Sequence, residues 1–86
     1  MINIQLKDKT AGPVYAQVRE QIETQIRGKQ ISSGETLPSP AILSEKLSVD
    51  RGEIQRAYYE LEQYGLIKKK TSRDFLGKEK TTYTVS

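Results

Sequence analysis

The sequence predicts a mainly α domain in which three helices are followed by a small β-hairpin. Three observations carry that reading. Apolar residues recur at four-residue spacing in Val14, Val18, Ile22 and Ile26, the period of one helix face. Two further apolar stripes, Ile42/Leu43/Leu47 and Ile54/Ala57/Tyr58/Leu61, are separated by a short polar turn. Beyond Gly65 the pattern changes to alternation rich in β-branched and aromatic residues, in "LIKKKT" and "KTTYTVS", as strands require. A chain of 86 residues supports one core, and a single domain over 1–86 is expected.

Each element has a local cause. In residues 1–12, Ile2, Ile4 and Leu6 alternate with Asn3 and Gln5, the period of a short half-buried strand or arm, and "KDKTAG" reads as a turn. Helix 1 spans 13–28, with Pro13 at the first helical position and Gly28 as its C-cap. "KQISSGETLPS" is an irregular connector whose Ile31 and Leu37 pack inward. Helix 2 spans 39–48, capped by Ser39 and opened by Pro40. Helix 3 spans 50–65, with Asp50 as N-cap and Gly65 closing it. Residues 66–86 form a hairpin with a long loop around Gly77. Two helices across a tight turn, the second longer and polar outside, followed by a hairpin, make a winged helix-turn-helix.

Composition removes whole classes of function. Without histidine or cysteine, the chain lacks the commonest general base, the commonest zinc ligand, the thiolate nucleophile and any disulfide. Its carboxylates are scattered along helix faces. Neither enzyme activity, a metal site nor a cofactor is expected. No apolar run nears the roughly 18 residues of a membrane span, and a cytoplasmic location is expected. Charge is uneven: residues 1–67 hold eight basic and nine acidic side chains, whereas 68–86 hold six basic (Lys68, Lys69, Lys70, Arg73, Lys78, Lys80) and two acidic. A near-neutral body with a cationic end fits contact with a polyanion, or simply a solvated hairpin.

The stretch "VDRGEIQRAYY" opens helix 3. At about 100° per residue, Ile54, Tyr58 and Leu61 mark the inner side, with Gly52, Gln55, Arg56, Tyr59 and Gln63 opposite. Arg51 suits phosphate, Gln55 suits adenine, and Arg56 suits phosphate or guanine, each of the three being equally at home as a solvated residue; the outward Tyr59 hydroxyl suits phosphate. Gly52 either permits close approach of the helix to DNA or is merely tolerated near a helix end. Glu53 stands about 110° from the centre of the outer face. Three positions after Asp50, it has the spacing of a capping box reaching back to the Asp50 N–H; the other readings are an acceptor for cytosine and a deterrent to phosphate.

At this level of detail the sequence resembles the DNA-binding domain of GntR-type regulators, the gluconate-operon-repressor family. Pro13-Val14-Tyr15, Gly34 with Leu37-Pro38-Ser39, Val49-Asp50-Arg51, and Leu61-Glu62 with Gly65-Leu66-Ile67 occupy that family's pattern over about residues 13–67. The resemblance implies DNA contact for Arg51 and retention of a contact at Arg56. The family's paired threonines become Gly52 and Glu53, its next basic contact becomes Gln55, and its helix 2 arginine becomes Ala41. Its short glycine-rich wing becomes the longer, more basic "KKKTSRDFLGKEK".

Sequence-specific binding of double-stranded DNA in a bacterial transcriptional regulator is therefore expected. Ser39, Arg51, Gly52, Gln55, Arg56 and Tyr59 would contact DNA from the helices, and Lys68, Lys69, Lys70, Arg73 and Lys78 from the wing. The alternative is a winged-helix protein-interaction module whose reading face Ala41 and Glu53 have altered. A homodimer is conceivable through the Ile2/Ile4/Leu6 strand. An effector ligand, implied by the family's C-terminal domain, is expected only where a longer chain supplies that domain.

Overall fold

A computed structural model describes residues 3–7 and 12–86. Among these, three helices and three short strands follow in the order α1 (Val14–Arg27), β1 (Thr36–Leu37), α2 (Pro40–Leu47), α3 (Arg51–Gln63), β2 (Ile67–Arg73) and β3 (Glu79–Val85). The strands make one antiparallel sheet in the order β1-β3-β2. This is a winged helix: a three-helix body with a two-stranded arm projecting from it, giving overall extents of 46 × 27 × 21 Å.

One core joins all the elements. Val18 and Ile22 of α1 meet Leu43 of α2, Ile54, Ala57, Tyr58 and Leu61 of α3, and Ile31, Leu37, Ile67 and Val85 from the connector and sheet. Tyr58 is fully buried, yet its hydroxyl donates to the Pro38 carbonyl at 2.7 Å and its ring meets Tyr83 edge-on at 4.9 Å. Satisfying the hydroxyl is what makes a buried tyrosine tolerable here. Burial and the neighbouring Tyr83 push that hydroxyl well above the ordinary phenol range. Ile42, expected on the inner face of α2, is instead 52% exposed. It lies one helical step of about 100° from Leu43, too far round to share its contacts.

Local signals set most boundaries. Ser39 accepts from the Ile42 N–H at 3.2 Å and Asp50 from the Gly52 N–H at 3.3 Å, so both helices of the motif carry side-chain caps. Ser48 and Val49 bridge them before Asp50. Gly65 follows α3 with φ of 78°, and the Leu66 N–H returns to the Leu61 carbonyl. That left-handed closure is the one glycine makes without strain.

The structure departs from expectation in four places. Pro13 is the N-cap of α1 rather than its first helical residue, and offers no side chain to cap with. At its other end α1 has the expected C-cap, Gly28, at φ −82°, with Lys29 after it in the left-handed conformation. Gly28 has a steric role, since a Cβ there would lie 3.1 Å from the Thr24 carbonyl oxygen. The connector contains β1, whose Thr36 and Leu37 pair with Thr84 and Tyr83. The wing strands run farther than expected, Ile67 to Arg73 against Val85 to Glu79, leaving only a five-residue turn over 74–78.

The N-terminal arm is the fourth. Residues 3–7 form no strand, although Ile4 and Leu6 do pack against the core; Ile2 and most of the "KDKTAG" turn lie outside the described residues. Backbone N–H groups of Asn3, Gln5 and Lys7 donate to the side-chain carbonyls of Gln25, Gln21 and Gln17. Gln25 and Gln21 donate back to the Asn3 and Gln5 carbonyls. Four residues of helix advance about 6 Å, and two residues of extended chain about 6.6 Å, so the two repeats stay in step. A row of glutamines thus does the work of a neighbouring strand.

Candidate nucleic-acid interface

Helix α3 has two exposed flanks with different surroundings. On the flank toward the wing, Arg51 and Gln55 line an open groove with Ser39, Pro40 and Ala41 at the start of α2, and Lys69, Thr81 and Tyr83 of the wing. The groove encloses about 300 Å³. Among the described residues, the side chains of Arg51, Gln55 and Lys69 have no hydrogen-bond or ion-pair partner. Ser39 accepts from the backbone of its own helix, which leaves its O–H to donate outward. Ala41 contributes only a methyl group, so the space beside Arg51 stays open.

Toward α1, Glu53, Arg56 and Glu60 of the other flank are engaged. The Glu53 carboxylate accepts from the Tyr15 N–H at 2.9 Å. That bond replaces the capping box expected with Asp50: Glu53 caps α1, whose own N-cap, Pro13, has no acceptor side chain. The Arg56 guanidinium lies over the Tyr15 ring, 3.8 Å from its centroid, and its Nε sits 3.4 Å from Glu60. Glu60 also receives Arg19 of α1 at 2.5 Å. The bond from Arg19 holds the Glu60 carboxyl below its ordinary range, helped by Arg56, against the opposing effect of burial.

The wing divides the remaining cations by strand alternation. Ile67, Lys69, Thr71 and Arg73 share one face with Val85, Tyr83, Thr81 and Glu79. Lys68, Lys70 and Ser72 share the other with Thr84, Thr82 and Lys80. Only Lys69 of the three consecutive lysines therefore lines the groove. Arg73 pairs with Glu79 at 3.4 Å near the far end, and Lys78 belongs to the terminal turn.

Of the residues singled out by sequence, the fold brings together Ser39, Arg51, Gln55 and Lys69. Gly52 sits exposed at the edge of this group, and a Cβ there would meet nothing closer than the Asp50 carboxylate at 3.8 Å. Tyr59 is exposed farther along α3. Arg56, Lys68 and Lys70 point elsewhere, and Arg73 is paired. Sequence reasoning missed Thr81 and Tyr83; their two-residue spacing with Val85 was the available sign that they share a face.

The combination of a short helix, a tight turn, a longer helix with an open cationic groove, and a basic hairpin is matched by known proteins. Residues 14–74 fit the bacterial regulatory proteins of the gntR family. This chain belongs to the GntR family. Over 59 residues it is 30% identical to YhcF, an uncharacterized HTH-type transcriptional regulator of Bacillus subtilis (strain 168). That match takes in 69% of this chain and 49% of YhcF, so the chain spans about half the length of that relative. Among solved structures, YtrA from Sulfolobus acidocaldarius, a GntR-family transcription factor, superposes with a TM-score of 0.72 at 31% identity, over 98% of this chain and 78% of YtrA. The AraR DNA-binding domain in complex with operator ORR3 superposes with a TM-score of 0.66 at 25% identity, over 98% of this chain and 92% of that one. The winged helix-turn-helix seen here is thus the DNA-binding architecture of GntR-type regulators. Among the described residues, no helix is long and apolar enough to cross a membrane.

Proposed function

We propose that the chain reads double-stranded DNA in a sequence-dependent way, as the DNA-binding part of a bacterial transcriptional regulator. The observation that carries this is the convergence of Ser39, Arg51, Gln55 and Lys69 on one open groove, with the polar ends of the last three uncommitted among the described residues and the Ser39 O–H left to donate. Family membership supports it, as does the likeness to AraR, whose domain was captured on its operator.

In this reading α3 enters the major groove. Gln55 reads a base edge, with an amide suited to bidentate pairing with adenine. Arg51 and the Ser39 hydroxyl hold phosphates on either side, and Lys69 takes a phosphate from the wing. Tyr59 extends the contact along α3, and Gly52 lets the first turn approach closely. Lys68, Lys70, Arg73 and Lys78 line the wing as it passes along the backbone toward the next groove. Two copies on half-sites one helical turn apart would supply the affinity that a single module lacks.

The test is binding of the chain to duplexes selected from a random pool, followed over a range of salt. Several phosphate contacts make the logarithm of affinity fall by roughly 0.9 per contact for each tenfold rise in salt. A common motif among selected duplexes, lost in Gln55→Ala, supports sequence reading. Absence of duplex binding at low salt ends the proposal. Inward capture of Glu53 weakens the case for a protein-interaction module, because that carboxylate no longer alters the reading face.

A further inference from the structure

The wing ends in an apolar point. Phe75, the only phenylalanine of the chain, is 95% exposed, and the adjoining Leu76 is 68% exposed. Both sit at the apex of a turn that is firmly tied. The Asp74 carboxylate accepts from the N–H groups of Leu76 and Lys78 at 2.9 and 3.0 Å, and the Asp74 N–H donates to the Lys78 carbonyl. The Gly77 N–H returns to the Asp74 carbonyl, with Gly77 at φ 80°. Below the turn, Arg73 and Glu79 are paired across the strands. Two large apolar side chains are thus held outward, more exposed than Ile42, Tyr59 and Tyr64, the other large hydrophobic residues left in solvent among the described residues.

We propose that Phe75 and Leu76 form a wedge that enters the minor groove of bound DNA and parts a base step. The inference rests on the DNA-binding reading above. Three features favour this occupant. First, the tip stands on a hairpin carrying Lys68, Lys69, Lys70, Arg73, Lys78 and Lys80, while its two acids are committed to the turn and to Arg73; the surroundings suit a polyanion. Second, the sheet face that lines the groove continues through Thr71 and Arg73 to the tip. Four steps of strand from Lys69 to Arg73 cover about 13 Å and the turn carries Phe75 beyond them, a reach comparable with the roughly 17 Å of half a duplex turn. A duplex seated on α3 therefore offers its next groove to the tip. Third, two side chains are far short of the roughly 800 Å² per partner of a stable protein interface, but they suffice for a wedge between bases, where phenylalanine and leucine serve in other minor-groove binders.

The consequence is selectivity without base hydrogen bonds. Pyrimidine–purine steps such as TA and CA unstack most easily, so the site should prefer one where the tip lands. The DNA should bend there.

The chain has no tryptophan, which makes Phe75→Trp a single fluorescent reporter. Duplexes of about 30 base pairs, with flexible or stiff steps placed half a turn from the α3 contact, are titrated and their bend read by end-to-end energy transfer. Phe75→Trp keeps a large aromatic ring at the tip, and its emission should be quenched when duplex is added to saturation. Phe75→Ala/Leu76→Ala should bind about tenfold or more weakly and bend less, with an unchanged salt slope, because no phosphate contact is lost. Equal affinity and bending in the double variant overturn the wedge, as does unquenched tryptophan in a saturated complex. If the double variant binds normally while Arg51→Ala does not, the wedge fails and the DNA reading stands; if the unmodified chain binds no duplex, both fall. Vesicles of anionic phospholipid form the last arm. Retention of the unmodified chain, but not the double variant, on vesicles with no effect on duplex bending would assign the tip to a lipid surface and overturn the proposal.

Discussion

The two exposed flanks of α3 carry similar side chains in opposite states. On one, Arg51 and Gln55 face a groove with Lys69 and no partner among the described residues. On the other, Arg56, Glu53 and Glu60 are bound into α1 through Tyr15 and Arg19. The lesson is that a charged residue on a helix surface is available for recognition only after its own protein has finished with it. Arg51 and Arg56 are five positions apart on one helix, yet one is free to meet DNA and the other helps to hold α1 and α3 together.

Mutations that separate binding from stability would sharpen or break this contrast. The largest effect is expected at the free flank: Arg51→Ala and Gln55→Ala should each weaken duplex binding by about 1–3 kcal/mol. Thermal unfolding should show little change in either. Gln55→Ala alone should relax base preference, visible as a broader set of selected duplexes.

At the bound flank the signs reverse. Glu53→Ala removes the acceptor that caps α1 and should destabilise the fold by about 1 kcal/mol, measured by urea unfolding, without weakening DNA binding. Arg56→Ala removes a stacked cation and an exposed i,i+4 pair, costing about 0.5–1 kcal/mol of stability and less affinity than Arg51→Ala costs. If Arg56→Ala matches or exceeds Arg51→Ala in DNA binding, the division between flanks is wrong.

A smaller effect separates the faces of the wing. Lys69→Ala should lower the salt slope by about 1, and Lys68→Ala, on the opposite face, by less. The smallest effect expected is at low pH. Because Glu60 is held below its ordinary 4.5 by Arg19, its ion pairs stabilise the fold above that value, and the contribution is lost as pH falls through the lowered folded value. Unfolding measured from pH 7 downward should show a shallower acid limb in Glu60→Gln.

Much of the architecture was legible because the signals that make it are short in range. The Val18/Ile22 and Ile54/Tyr58/Leu61 stripes, the Ser39 and Asp50 caps and the Gly65 closure all depend on residues within one or two turns of each other. Strand β1 was not legible: two residues carry no period, and Thr36–Leu37 is a strand only because β3 lies beside it. The glutamines at 17, 21 and 25 had a visible helical spacing, but their partners belong to a different segment.

The candidate site divides in the same way. Sequence alone determined the helices, the turn between them, the basic hairpin and the outward side of α3, because periodicity and capping are properties of neighbouring residues. Tertiary structure decided what each polar group does. Glu53 finds the Tyr15 N–H 38 positions away, and Glu60 meets Arg19 at a separation of 41. Strand pairing sends Lys69 to the groove and Lys68 and Lys70 to the other face. Hydrogen bonds and ion pairs act over a few ångströms of space, and which distant groups share that space is known only once the core has closed.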